Sequence, residues 1–262
     1  MLAACILVFT ALFLSPGNGF SQIGNSGPGQ WSIKGSDPIQ IYFGDQLVTV
    51  YNPGKDEGKP FFYPIMGPTG ENMTRHWPMK EGDETEAKDH IHHRGMWYGL
   101  GNVNGLDFWH YAGDEKKKDK TFGKIVHQSM NGVSVKDGGQ KIWFKVKADW
   151  VADAAPSEKV MADTREFTLF YREDGALVVD TKITLIADSG EVTINDDKEG
   201  AWSIRTLPTL RLKGDYAKGS MVNSEGLTDA EVWGKKASWV DYFGPDKAGN
   251  EVGSAIFDQP EN

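Results

Sequence analysis

The sequence predicts an all-β protein, a sandwich of many short strands, on three observations. Apolar and polar residues alternate with a period of two through residues 142–150 and 177–185. Asp- and Gly-rich turns separate such runs, and no long segment carries the apolar stripe of a helix.

The elements follow in chain order. Residues 2–14 are an apolar run followed by Ser15-Pro16-Gly17-Asn18-Gly19-Phe20-Ser21. This is the hydrophobic core and small-residue cleavage region of a signal peptide over residues 1–21, too short to span a bilayer comfortably. Leu2-Ala3-Ala4-Cys5 has a lipobox composition but precedes the apolar run instead of following it. Residues 22–30 are a flexible Gly/Ser/Pro lead-in. Residues 31–262 are expected to form a single β-sandwich domain, incomplete at its C-terminus because the chain stops in a turn, Asp258-Gln259-Pro260-Glu261-Asn262.

Within the domain, Leu47-Val48-Thr49-Val50-Tyr51 is a β-branched strand between turn residues. Glu115-Lys116-Lys117-Lys118-Asp119-Lys120 is a charge run expected in a solvated loop. Ile142, Phe144, Val146, Ala148 and Trp150 share one face of a strand, and Leu177, Val179, Thr181, Ile183 and Leu185 share one face of another. Asp137-Gly138-Gly139, before the first of these strands, and Glu173-Asp174-Gly175, before the second, are read as hairpin turns. Residues 153–163 are the best helix candidate, weakened by Pro156. Residues 252–257 read as a last strand.

Composition narrows the function. The net charge is -9 at pH 7, so the basic footprint of a nucleic-acid binder is missing, and no span follows the signal. Cys5 is the only cysteine and lies in the signal, so the mature chain is expected to have no disulfide or thiolate metal site. The signal predicts a periplasmic or secreted protein.

The chemistry concentrates in Asp89-His90-Ile91-His92-His93-Arg94-Gly95-Met96-Trp97. If this segment is extended, His90, His92 and Arg94 point to one face and His93 to the other. A His-x-His pair can hold one divalent metal ion, which makes His90 and His92 the candidate ligands. The same imidazoles could instead move protons near neutral pH, so His90, His92 and His93 are also catalytic candidates. Glu199 and Glu225 are loop carboxylates that could serve as a general base or accept sugar hydroxyls. Indole faces with neighbouring cations and carboxylates suit sugar rings, which have apolar C–H faces and polar edges. On that basis Arg75, Arg94, Trp97, Asp107, Trp109, Arg205, Trp233, Lys235 and Trp239 are expected to bind substrate. His110 lies beside this group in sequence. Gly-x-Ser-x-Gly, His-Glu-x-x-His and Walker motifs are absent.

Eight ordered motifs resemble one family: Phe62-Tyr63-Pro64-Ile65-Met66-Gly67-Pro68, Thr74-Arg75-His76-Trp77-Pro78-Met79, the His-rich segment, and Asn102-Val103-Asn104-Gly105-Leu106-Asp107-Phe108-Trp109, followed by Asp197-Lys198-Glu199-Gly200, Arg205-Thr206-Leu207-Pro208-Thr209-Leu210-Arg211, Asn223-Ser224-Glu225-Gly226 and Gly253-Ser254-Ala255-Ile256-Phe257-Asp258. Together they look like the PmoA-like family of secreted bacterial proteins. The resemblance implies a supersandwich similar to galactose mutarotase and a part in carbohydrate metabolism. The methane-oxygenase activity in the family label finds no support in this polar, β-rich body. Members usually continue past the Phe257-Asp258-Gln259-Pro260-Glu261-Asn262 motif into a further His-, Arg- and Trp-containing segment, so this chain is expected to depart from the pattern at its end. The expected function is a sugar-modifying enzyme, an epimerase, lyase or glycoside-processing activity acting on a sugar or glycan. The alternative is a carbohydrate-binding protein without turnover, and an oxygenase is the least favoured reading.

Overall fold

The computed structural model describes residues 4–14, 29–114 and 120–259. Two antiparallel sheets pack face to face. The eight-stranded sheet runs in the order β12 (Ser220–Asn223), β13 (Trp239–Pro245), β14 (Glu251–Asp258), β1 (Ala4–Leu14), β10 (Leu177–Ile186), β9 (Lys159–Tyr171), β8 (Lys141–Ala152) and β7 (Gly123–Lys136). The six-stranded sheet is β11 (Gly200–Ile204), β6 (Met96–Leu100), β5 (Phe61–Ile65), β4 (Gln46–Asn52), β3 (Ile39–Phe43) and β2 (Trp31–Lys34). The chain is therefore an all-β sandwich.

The alternation read from sequence is the packing rule of the long strands. Ile142, Phe144, Val146, Ala148 and Trp150 all point into the core from β8, and Val179, Thr181, Ile183 and Leu185 do so from β10. Aromatic rings lock the two sheets: Phe62 of the smaller sheet meets Phe167 of the larger one edge-on at 4.9 Å, and Tyr51 lies 6.0 Å from the same ring. The turns at residues 137–139 and 173–175 fall where expected. The helix candidate at 153–163 is instead a turn that runs into β9. Helical structure among the described residues is confined to short 3-10 turns.

Residues 4–14, read above as the core of a secretion signal, form β1, paired with β10 from Ala4 to Phe13 and with β14 from Phe9 to Leu14. Thr10 Oγ1 donates to Asp180 Oδ1 at 3.0 Å across the first of these pairings. Most of the expected lead-in and most of the charge run at 115–120 lie outside the described residues.

An ion pair is built into the core between the sheets. The Arg165 guanidinium binds the Asp163 carboxylate through Nε and Nη2, at 2.7 Å for the closest contact, and Trp150 Nε1 donates to the same carboxylate at 2.8 Å. Burial works against the Arg165 charge, but Asp163 more than offsets it and raises the guanidinium pKa.

Candidate functional site

The site is made of two loops at one end of the smaller sheet, residues 66–95 between β5 and β6 and residues 101–114 after β6. Gly95 lets the first loop enter β6. Its φ is +53°, and a Cβ there would sit 2.0 Å from the Phe62 carbonyl oxygen, so only glycine fits. The His-rich segment is a turn and not the extended strand expected. His90 has φ +42°, and the His93 N–H donates to the His90 carbonyl at 2.9 Å. The turn gathers all three imidazoles instead of sending His93 to the opposite face. His92 lies 4.4 Å from His93 and 5.7 Å from His90, and His93 stacks between His90 at 4.9 Å and Trp97 at 5.0 Å.

Arg75 holds this turn together from below. Its Nη1 donates to Asp89 and the Ala87 carbonyl, and its Nη2 to the carbonyls of His90 and His93. Burial, with Arg205 nearby and Asp89 opposing, brings its pKa down to about 10. Expected to touch substrate, Arg75 is instead a buried clamp.

Beneath the turn lie His92, His110 and Asp114. One potential ligand atom from each falls within 4.8 Å of the others, and both imidazoles are 2 % exposed. Each ring is fixed by a carboxylate: His92 Nδ1 lies 2.9 Å from Asp114 Oδ2, and His110 Nδ1 lies 2.8 Å from Asp107 Oδ2. The two rings are 4.1 Å apart. Burial above all, then the neighbouring cations and imidazoles, lowers the pKa of His92 and brings that of His93 down to about 2. A neutral imidazole is the form that ligates a metal ion, which burial favours at His92, and carboxylate-oriented imidazoles in a two-His, one-carboxylate set suit a catalytic divalent ion. Asp107 stays ionised: burial opposes this, but hydrogen bonds from His110 and Lys120 hold its carboxyl well below the ordinary range.

The expected ligand pair was His90 and His92. His92 belongs to the group, whereas the His90 Nδ1 is engaged by Asp89 Oδ2 at 2.9 Å, on the outer side of the turn. Trp97 and Trp109 pack on each other at 5.3 Å behind the imidazoles, and Arg94 donates to the Tyr111 hydroxyl. The indole N–H groups of both tryptophans and Arg94 Nε are buried without an acceptor. Arg205 reaches Asp89 at 3.0 Å and joins the cluster from after β11. Glu199 precedes that same strand, six residues away, so the strand holds it about 20 Å from Arg205. Glu225 is exposed in the turn after β12, Lys235 is exposed on its loop, and Trp239 packs against Phe257, none of them in the imidazole cluster.

Asp89, His110 and Asp114 complete the cluster; the sequence reads His110 only as a polar group near the His-rich segment and gives Asp89 and Asp114 no role. The only local sign was Asp107-x-x-His110-x-x-x-Asp114 close behind the His-rich segment. Lys59 gave no sign at all. It is buried, donates to the Trp109 carbonyl, and burial, opposed by Asp107, brings its pKa down to about 7. Free lysine titrates near 10.4, so across roughly pH 7–10 the unfolded chain holds a proton that the folded chain has released, and stability rises with pH there. Urea unfolding of the wild type against Lys59→Met should diverge in that window by up to about 1.4 kcal/mol per pH unit. Parallel profiles would show that Lys59 stays charged in the fold.

The sequence model of a family of unknown function, DUF6807, matches residues 38–262. No curated protein and no solved structure matches the chain.

Proposed function

Because the chain belongs to DUF6807, whose function is unknown, its chemistry has to be read from the site, and we propose that it is a sugar-modifying enzyme assisted by a divalent metal ion. The buried His92–His110–Asp114 group carries this reading, since three ligands leave coordination positions open for substrate. A bound ion would polarise a hydroxyl or carbonyl oxygen. The Asp89–His90 pair, on the outer side of the same turn, would in this reading move the proton, as an epimerase or lyase requires. Buried donors without acceptors on Trp97, Trp109 and Arg94 suit the hydroxyls of a sugar. The resemblance to PmoA-like proteins and the mutarotase supersandwich points to the same substrate class. Catalysis in this reading takes place in the periplasm or outside the cell. That destination needs residues 4–14 as a signal, while β1 needs them in the sheet, and the intact mass of exported protein decides between the two uses.

Elemental mass spectrometry of the full-length protein after metal loading and desalting tests the reading. Near one equivalent of zinc, manganese or iron is expected, and His92→Ala and His110→Ala should each lose most of it with their circular dichroism unchanged. Metal-free wild type, or variants that keep their metal, would refute the site. Trp233, 85 % exposed beside a cavity, favours a second reading as a carbohydrate binder. Proton NMR of sugars in heavy water separates the two, because a binder returns every substrate unexchanged.

A further inference from the structure

A cavity of about 550 Å³ opens between the β12–β14 end of the larger sheet and residues 204–213. Its floor is apolar, formed by Met221, Val240 and Ile256 on adjacent strands. Its opposite wall carries three cations, Arg205, Arg211 and Lys213. Among the described residues only Arg205 has a carboxylate partner, Asp89. The Arg211 Nε donates to the Pro208 carbonyl, while Lys213 is exposed and unpaired. Arg211 is close enough to add to the burial that lowers the Arg205 pKa, so two like charges face one space. The one carboxylate in the lining, Asp229, is engaged by the Met221 N–H at 2.9 Å. Ser254, 4 % exposed, also lines the cavity, and its Oγ is buried without a hydrogen-bond partner. Arg211 and Lys213, without a carboxylate partner among the described residues, call for an anion, the apolar floor and the Trp233 indole suit the C–H face of a ring, and the Ser254 hydroxyl suits a ring hydroxyl.

The geometry points to this cavity as the binding site for a carboxylated sugar of the uronate class, with Arg211 and Lys213 receiving its carboxylate. The inference builds on the sugar reading above and gives it a substrate class. The cavity is one ion pair from the imidazoles, since Arg205 and His90 share the two oxygens of Asp89.

Isothermal titration calorimetry of the full chain with D-glucuronate and D-glucose tests it. The wild type should bind glucuronate at least tenfold more tightly than glucose. The combined Arg211→Gln and Lys213→Gln variant should lose that preference, and exposed Lys213→Gln alone should lose about threefold, even if the pair perturbs the loop. Equal affinities for the two sugars, no binding of either, or a variant that binds glucuronate like the wild type would overturn the assignment. Acetate or phosphate competing as well as glucuronate would reduce the cavity to a simple anion site and overturn it too. Metal content measured on the same samples separates the two readings. Metal without a glucuronate preference sinks the cavity assignment alone, and a preference without metal sinks the His92–His110–Asp114 assignment alone.

Discussion

Asp163→Ala is expected to lower the unfolding free energy by about 3–5 kcal/mol, the cost of leaving one partner of a buried ion pair uncompensated. Asp163 and Arg165 are 0 % and 1 % exposed between the sheets, and the same carboxylate also holds the Trp150 indole. A domain has only about 5–15 kcal/mol in total, so the melting temperature should fall by roughly 10 °C. The double variant Asp163→Leu/Arg165→Met removes both charges and should recover most of the loss, because the pair's own attraction mainly offsets its desolvation. Denaturant melts of the three proteins decide the matter. A single variant as stable as the wild type would mean that water reaches Arg165.

Arg75→Leu should have an effect of similar size, but localised. The guanidinium ties one carboxylate and three backbone carbonyls of residues 87–93, so its removal costs about 3 kcal/mol or more and releases the turn that assembles the imidazoles. Metal retention should fall at least tenfold, as expected when groups that orient ligands are lost. Arg75→Lys keeps the charge without the planar fork and should rescue stability more than metal binding. Equal losses in both properties for both variants would make Arg75 merely structural.

The sheets were legible where a strand buries one face. β8 and β10 announce themselves because a two-residue period is the only pattern that puts Phe144 and Val146 inward and Lys145 and Lys147 outward or toward the edge of the core. Short β11 and β12, of 5 and 4 residues, have no room for such a pattern. The apolar run at 4–14 satisfies a signal peptide and a central strand equally well, because both need continuous hydrophobicity. The His-rich segment supplies His92 to the candidate metal group, but the geometry turns on the positive φ of His90 and on the Arg75 clamp, which no local spacing encodes. Asp114 reaches His92, and Lys59 reaches Trp109, only through the tertiary meeting of three loops, residues 53–60, 66–95 and 101–114. Glu199 and Arg205 are close in sequence, yet an extended strand keeps them at opposite ends.

The stacking of His93 on Trp97, with Trp109 against both, gives the protein an internal optical gauge. An imidazole quenches an adjacent indole most strongly when it carries a proton, and a transition metal nearby quenches by other routes. A redox-active or paramagnetic ion such as iron or manganese bound beside these rings should therefore register in the ultraviolet emission of the unlabelled protein. Seven further tryptophans contribute a background, since the sequence holds nine in all, and Trp233 among them lines the cavity proposed for the sugar. Trp97→Phe would supply the difference spectrum, so occupancy could be followed in real time before any substrate is known.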